Sequence, residues 1–173
     1  MKPVIIERPR LLLKGEFVGR HYRHGKCIET IKGHNGPTYE GFGQMLGAMF
    51  KGTAGVSPWY FGLIEASPTP QLLNNDTLAS HTGWEELTPS TDYTGNRKEW
   101  VEGTVVNGVL GTTTAAQFAF TSTQVVRGLL LCGAATGTSA VLWATGLFDT
   151  DFNLSSGSTL DVSYSITLAE ATG

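Results

Sequence analysis

Few of the residues from which active sites and covalent frameworks are built are present in this chain, and they are scattered. Of its 173 residues only two are cysteine, Cys27 and Cys132, far apart and outside any CxxC pair. Two isolated thiols neither staple a fold nor form a metal site, and the expected setting is reducing and cytosolic. Charged residues make up only 16%, below the usual share for an isolated soluble domain, which points to surface covered by other subunits. No apolar run approaches the ~20 residues that cross a membrane, and Met1–Arg10 lacks the apolar core of a signal peptide. No repeat recurs at a fixed period. Asn75-Asp-Thr77 and Asn153-Leu-Ser155 fit the glycosylation pattern, which carries no weight without a secretory route.

What the chain has in quantity is glycine, 22 residues, with many Thr and Ser, a composition suited to short strands and tight turns. The late segment Thr159–Leu168 alternates strictly: Leu160, Val162, Tyr164, Ile166 and Leu168 share one face, and Asp161, Ser163, Ser165 and Thr167 the other. That period of two describes a strand with one buried and one wet face, as in antiparallel sandwiches and barrels.

Earlier, Leu11–Ile31 reads as a hairpin turning at His24-Gly25-Lys26, behind a Pro-containing arm at residues 1–10. Gly33-His-Asn-Gly-Pro37 reads as a boundary, dividing the chain into an arm and hairpin at 1–36 and a body at 37–173. One helix follows: Asn35 or Gly36 caps it, Pro37 suits its first turn, and Lys51-Gly52 ends it. Phe42, Met45, Leu46 and Met49 give it an apolar face. Gly41, Gly43 and Gly47 each cost it roughly 1 kcal/mol relative to Ala, a cost that close packing on a sheet explains. The helix is too short for a membrane, so Gly43-xxx-Gly47 is not a transmembrane motif. Trp59–Glu65 is apolar on both faces, as a central strand is. Residues 66–98 read as a long loop, a length typical of functional or contact-making segments. Strands are then expected near 99–106, 115–122, 125–132 and 141–148, with a turn at Asn107-Gly108. The expected class is all-β: a jelly-roll-like antiparallel β-sandwich with one short helix and an N-terminal hairpin; an immunoglobulin-like Greek key is the alternative.

Spacing tests remove most candidate chemistry. His21-x-x-His24-x-x-Cys27 has the residue types of a metal site, but residues three apart on a strand face opposite ways. Asp149-x-Asp151-x-Asn153 begins like a calcium loop, yet Leu154 stands where Gly is needed and Leu160 where Glu is needed. Asp76, Ser80 and His81 are close in sequence, with no nucleophile elbow around Ser80, and Glu85 and Glu86 are adjacent and face apart. Gly133–Ser139 leads into a strand, not a helix, so it is a hairpin loop and not a phosphate cradle. The expectation is no enzyme, no cofactor and no metal.

Charge is unevenly placed. Residues 1–36 hold eight basic and three acidic side chains, or +5; the other 137 residues hold four basic and twelve acidic, or −8. A basic arm on an acidic body fits docking to an acidic protein surface. Nucleic acid is disfavoured, because the basic residues are not interleaved with repeated aromatics, and a membrane is not indicated. Trp59 and Trp143 lie in apolar strands and read as core, whereas Trp84 and Trp100 border the long loop and read as partner anchors. The candidate partner-binding residues are Arg8, Arg10, Arg20, Arg23, His81, Trp84 and Trp100.

Several blocks, in order, resemble a known group: Asn35-Gly-Pro-Thr-Tyr-Glu-Gly-Phe-Gly-Gln-Met-Leu, Trp59-Tyr-Phe-Gly-Leu-Ile, Asp76-Thr-Leu-Ala-Ser-His-Thr-Gly-Trp84-Glu-Glu, Arg97-x-x-Trp100 and Leu142-Trp143-Ala-Thr. Over about residues 35–168 the chain resembles the capsid decoration, or cement, proteins of tailed bacteriophages. The resemblance implies a jelly-roll protein on the exterior of the virion head, commonly a homotrimer, that clamps major capsid protein subunits and has no catalytic residues. A head-fibre or tail-associated module for host attachment or carbohydrate binding is the alternative function.

Overall fold

The structure, a computed structural model, describes residues 10–171. It contains ten strands and one helix in the order β1 (Arg10–Arg23), β2 (Lys26–Pro37), α1 (Tyr39–Phe50), β3 (Tyr60–Glu65), β4 (Lys98–Glu99), β5 (Val101–Glu102), β6 (Val109–Thr114), β7 (Ala116–Ala119), β8 (Gln124–Cys132), β9 (Leu142–Leu154) and β10 (Thr159–Ala171). The expected class is what the chain adopts: all-β and antiparallel, with one helix and an N-terminal hairpin. The strands form one continuous sheet, ordered β4-β3-β8-β9-β2-β1-β10-β6-β5, with β7 also on β10. The two ends of that order, β4 and β5, are neighbours in sequence, separated only by Trp100. Segment 98–102 therefore pairs with β3 on one side and β6 on the other, and the sheet nearly closes on itself. Near-closure removes most unpaired edge.

The β1–β2 hairpin turns through His24 and Gly25, with φ of 48° and 74°, between the paired residues Arg23 and Lys26. Two successive positive φ values make the turn that matches the right-handed twist of the flanking strands. The division at 36/37 is corrected by the pairing. β1 runs beside β10 over thirteen register positions, from Arg10↔Ala171 to Tyr22↔Thr159, and Gly33–Pro37 pairs with Ala144–Phe148 of β9. The punctuated segment is thus the inner half of a strand, and the hairpin is inserted in the middle of the sheet. Its Phe17 is 1% exposed and meets Phe148 edge-on, with ring centroids 4.9 Å apart. Room for that ring comes from glycine: a Cβ on Gly33 would overlap the Leu147 carbonyl and the Phe17 ring, and one on Gly146 would overlap the His34 carbonyl.

Strand β3 is buried on both faces, as its apolar run implies. Phe61 and Leu63 enter the main core with Phe118, Phe148, Phe152, Leu160 and Val162. Ile64 faces the other way, into a second cluster with Leu130, Cys132 and Leu142, covered by Leu78 and Trp84 of the long loop. Sequence alternation missed β6, and it stopped β9 six residues short.

Because the hairpin supplies the partners of both β9 and β10, its removal should prevent folding of the remainder. A chain beginning at residue 38 is expected to lack the β-sheet circular dichroism and dispersed amide resonances of the full protein. A cooperative unfolding transition in that fragment would show the division at 36/37 to be real.

Candidate functional site

The long loop is a structural cover, and this reassigns three of the sequence candidates. Trp84 is 1% exposed and its Nε1 donates to Asp76 Oδ2 at 2.9 Å. The same carboxylate oxygen accepts from the Leu73 amide at 2.9 Å, so Asp76 shapes the loop. His81 stacks on Trp84, with centroids 3.7 Å apart and planes 10° apart, while its Nδ1 lies 3.0 Å from the Trp84 carbonyl. Ser80 closes a turn with Thr77. Trp100 is 2% exposed in the main core beside Phe61 and Tyr164, donating to Thr112 Oγ1 at 2.9 Å. Neither Trp84 nor Trp100 is available as a partner anchor. Both sit inside because β3 is covered on both sides; its apolar run announces that cover, but no local pattern reveals which residues supply it.

Sequence reasoning missed Arg97 as an organiser. Its guanidinium grips Glu86 through two 2.7 Å bonds, Nε to Oε1 and Nη2 to Oε2. Nη1 also donates to the carbonyls of Ala134 and Gly137, at 3.2 and 2.8 Å. The pair thereby ties the long loop to the Gly133–Ser139 hairpin loop. Forked arginine–carboxylate geometry is among the strongest polar contacts. Nearby, burial raises the Cys132 thiol pKa, keeping it in its inert, protonated form.

The His21/His24/Cys27 set does not converge. His21 is buried, with Nε2 3.0 Å from Ser158 Oγ, while His24 occupies the exposed turn and Cys27 lies exposed on β2. Among the described residues no three His, Cys, Asp or Glu side chains gather as a metal site. Asp151 pairs instead with Arg127 at 3.3 Å.

Two surface features remain. The first is the hairpin tip, where Arg23, His24 and Lys26 are exposed. Arg20 is half-buried and sits across from Asp161 in the register, and Lys32 pairs with Glu16 at 3.1 Å. The backbone of Arg10 begins β1 against Ala171 at the far end; Arg8 lies outside the described residues.

The second is α1, whose polarity is inverted. Its cap is Thr38, not Asn35 or Gly36, because β2 continues through Pro37. Thr38 Oγ1 accepts from the Gly41 amide at 3.1 Å and donates to the Leu142 carbonyl, and the Leu142 amide donates to Glu40 Oε2 at 3.0 Å. Gly41 packs directly on the Trp143 carbonyl, where no Cβ fits. These contacts fasten the first turn to β9. Of the four apolar residues expected to meet the sheet, only Met45 packs against the core. Tyr39, Phe42, Leu46, Met49 and Phe50 are 66%, 37%, 51%, 63% and 76% exposed. At 3.6 residues per turn they fall within a sector of about 100°, pointing to solvent. Exposed Leu73 extends the patch, because the Tyr39 amide donates to the Asn74 carbonyl at 2.7 Å. Beside it a groove of about 560 Å³ runs between Leu72–Asn74 and β9, with His34 and Arg127 in its walls. No described helix is long and apolar enough to cross a membrane.

No protein-family model matches the chain, and no curated protein sequence matches it.

Two measurements test this geometry. Replacing Glu86 by Leu leaves Arg97 buried and unpaired, and should lower stability by ~3–5 kcal/mol in urea unfolding; a change below 1 kcal/mol would show the pair to be dispensable. Desolvation lowers the His21 pKa below 6.5, only partly offset by Glu29, whose carboxylate lies 3.8 Å from Nδ1. The unfolded chain therefore binds that proton more readily than the native one. Stability should be complete above pH 6.5 and decline as pH falls through the interval below it. His21→Gln should flatten that part of the profile.

Proposed function

We propose that this chain is a non-enzymatic virion structural protein, a capsid decoration protein that binds the outer surface of a bacteriophage head and stabilises contacts between major capsid protein subunits. The observation that carries the reading is the outward apolar face of α1 on a body whose polar clusters are spent on holding loops and strands together. A contiguous exposed apolar patch marks an interaction surface. The family resemblance supplies the kind of assembly; the blocks that carry it, around Trp59, Asp76–Trp84 and Arg97–Trp100, build the covered strand β3 and its loop.

The mechanism is additive contact without bond making or breaking. Each copy buries surface on more than one subunit, so disassembling the shell must also break those contacts. An interface of ~1,600 Å² suffices for firm binding when its central anchors are well packed. Repetition over symmetry-related sites adds avidity without any single strong contact. The cationic hairpin tip, Arg23 and Lys26 with Arg20 behind them, suits an acidic partner surface and guides its approach. The partners are then the major capsid protein and other copies of this chain, with neither nucleic acid nor membrane involved.

The test is to incubate the protein with heads of the encoding phage that lack it, then sediment and image them. Many copies in regular external positions are expected, with occupancy reduced when Arg23 and Lys26 are both changed to Glu and the fold is intact. Heads that remain bare, or density confined to the tail, would exclude the decoration role.

A further inference from the structure

A polar link runs through the interior where the hairpin meets β10. Asn35 of β2 stands opposite Gly15 of β1 in the register, and its side chain passes over that glycine to reach the next strand. There Nδ2 donates to the Tyr164 hydroxyl of β10 at 2.7 Å. A Cβ on residue 15 would lie 1.6 Å from Asn35 Oδ1 and 2.6 Å from the Tyr164 oxygen. The crossing therefore requires glycine at that position.

The link leaves two complementary groups over. Asn35 Oδ1 is buried and has no partner among the described residues. The Tyr164 side chain is buried too, and that burial pushes its phenol up to about 12, against the opposing pull of Asn35 and Trp143. The phenol holds its proton throughout the ordinary pH range. With Nδ2 already donating to its oxygen, that proton needs an acceptor of its own. Turning the amide over only exchanges the problem. Oδ1 then takes the phenol proton, and the N–H donors of Nδ2 stand where the acceptor stood. Buried polar groups in native interiors are paired, with protein or with ordered water.

Beside these groups lies a small cavity. It leaves about 10 Å³ for the centre of a water-sized sphere, the room that one water molecule needs. Phe17, Phe61, Leu131 and Ala144 contribute its apolar wall, and Asn35 and Tyr164 are its only polar side chains. The volume excludes any larger molecule. A bare ion is excluded by chemistry, because it would exchange its hydration for rings and methyl groups. Water alone fits both the space and the pair of groups, since it donates and accepts at once.

We propose that this cavity is a hydration site: one ordered water donates to Asn35 Oδ1 and accepts the Tyr164 hydroxyl proton. The water completes the link from β2 to β10 across Gly15 and fills the gap between the hairpin and the β3–β8–β9 side of the core. The site does not depend on the decoration role and is read on the purified full chain. A crystal structure at a resolution that shows ordered solvent should contain one solvent peak within hydrogen-bond distance of Asn35 and the Tyr164 hydroxyl. In solution the same water should give nuclear Overhauser cross-peaks to the Leu131 and Ala144 methyl groups, with the sign of a long-lived molecule. Asn35→Leu combined with Tyr164→Phe removes both polar partners at similar bulk, and should abolish the peak and the cross-peaks in a folded protein. Should that double variant fail to fold, the native crystal decides alone. A cavity with no solvent peak overturns the proposal, as does a phenol bonded directly to Asn35 Oδ1 with the cavity closed. A solvent peak that persists in the folded double variant overturns it as well, because the water would then be held by other groups.

Discussion

The fold depends on the seating of one hairpin between two strands that come more than a hundred residues later. β1 lies on β10 and β2 lies on β9, and the Phe17 ring between them is admitted only because Gly33 and Gly146 present bare backbone. Phe148 and Phe152 stack edge to face beneath it, 4.9 Å apart, and a Cβ on Gly19 would meet the Phe152 ring at 2.7 Å. With the hairpin in place the sheet curls until segment 98–102 touches both of its ends. Without it, β9 and β10 would each expose an edge and an apolar face.

Once the inner face is enclosed, the outer face of β3 and β8 still needs covering, and the long loop does that. Trp84 lies over Ile64 and Leu130, Asp76 fixes its indole, and Arg97 with Glu86 holds the loop against the β8–β9 connection. These polar groups are satisfied by one another, and their chemistry is spent on shape. The exposed surface carries a cationic tip where the hairpin leaves the sheet and an apolar helix fastened to β9 by its first turn. The two differ in charge and in place.

Much of the architecture was legible because it is locally encoded. Period-two alternation marked β10, the His24-Gly25 pair marked the turn, and the doubly apolar run marked β3 as covered on both sides. The helix was legible in extent but not in orientation. Phe42, Leu46 and Met49 recur at helical spacing whether they meet a sheet or another molecule, and hydrophobicity read along the chain does not distinguish the two. The boundary at 36/37 failed for a similar reason, since Gly33, Gly36 and Pro37 punctuate a loop in most contexts. Here two of the three lie where a neighbouring strand or ring comes too close for other side chains, or where a strand ends. Trp84 and Trp100 were misplaced as surface anchors, because flanking a polar loop says nothing about which way an indole turns.

The sequence by itself determined the all-β class, the hairpin, the existence of one short helix and the scarcity of concentrated reactive groups, since periodicity, turn residues and composition act within a few positions of each other. Only the tertiary structure decided which apolar surfaces found partners: Trp84 and Trp100 inside, the face of α1 outside. That outcome depends on pairings between residues separated by tens to more than a hundred positions, such as Thr38 with Leu142 and Phe17 with Phe148. Such contacts are decided by how the closed sheet fills its interior, a competition among all the strands that no single segment records.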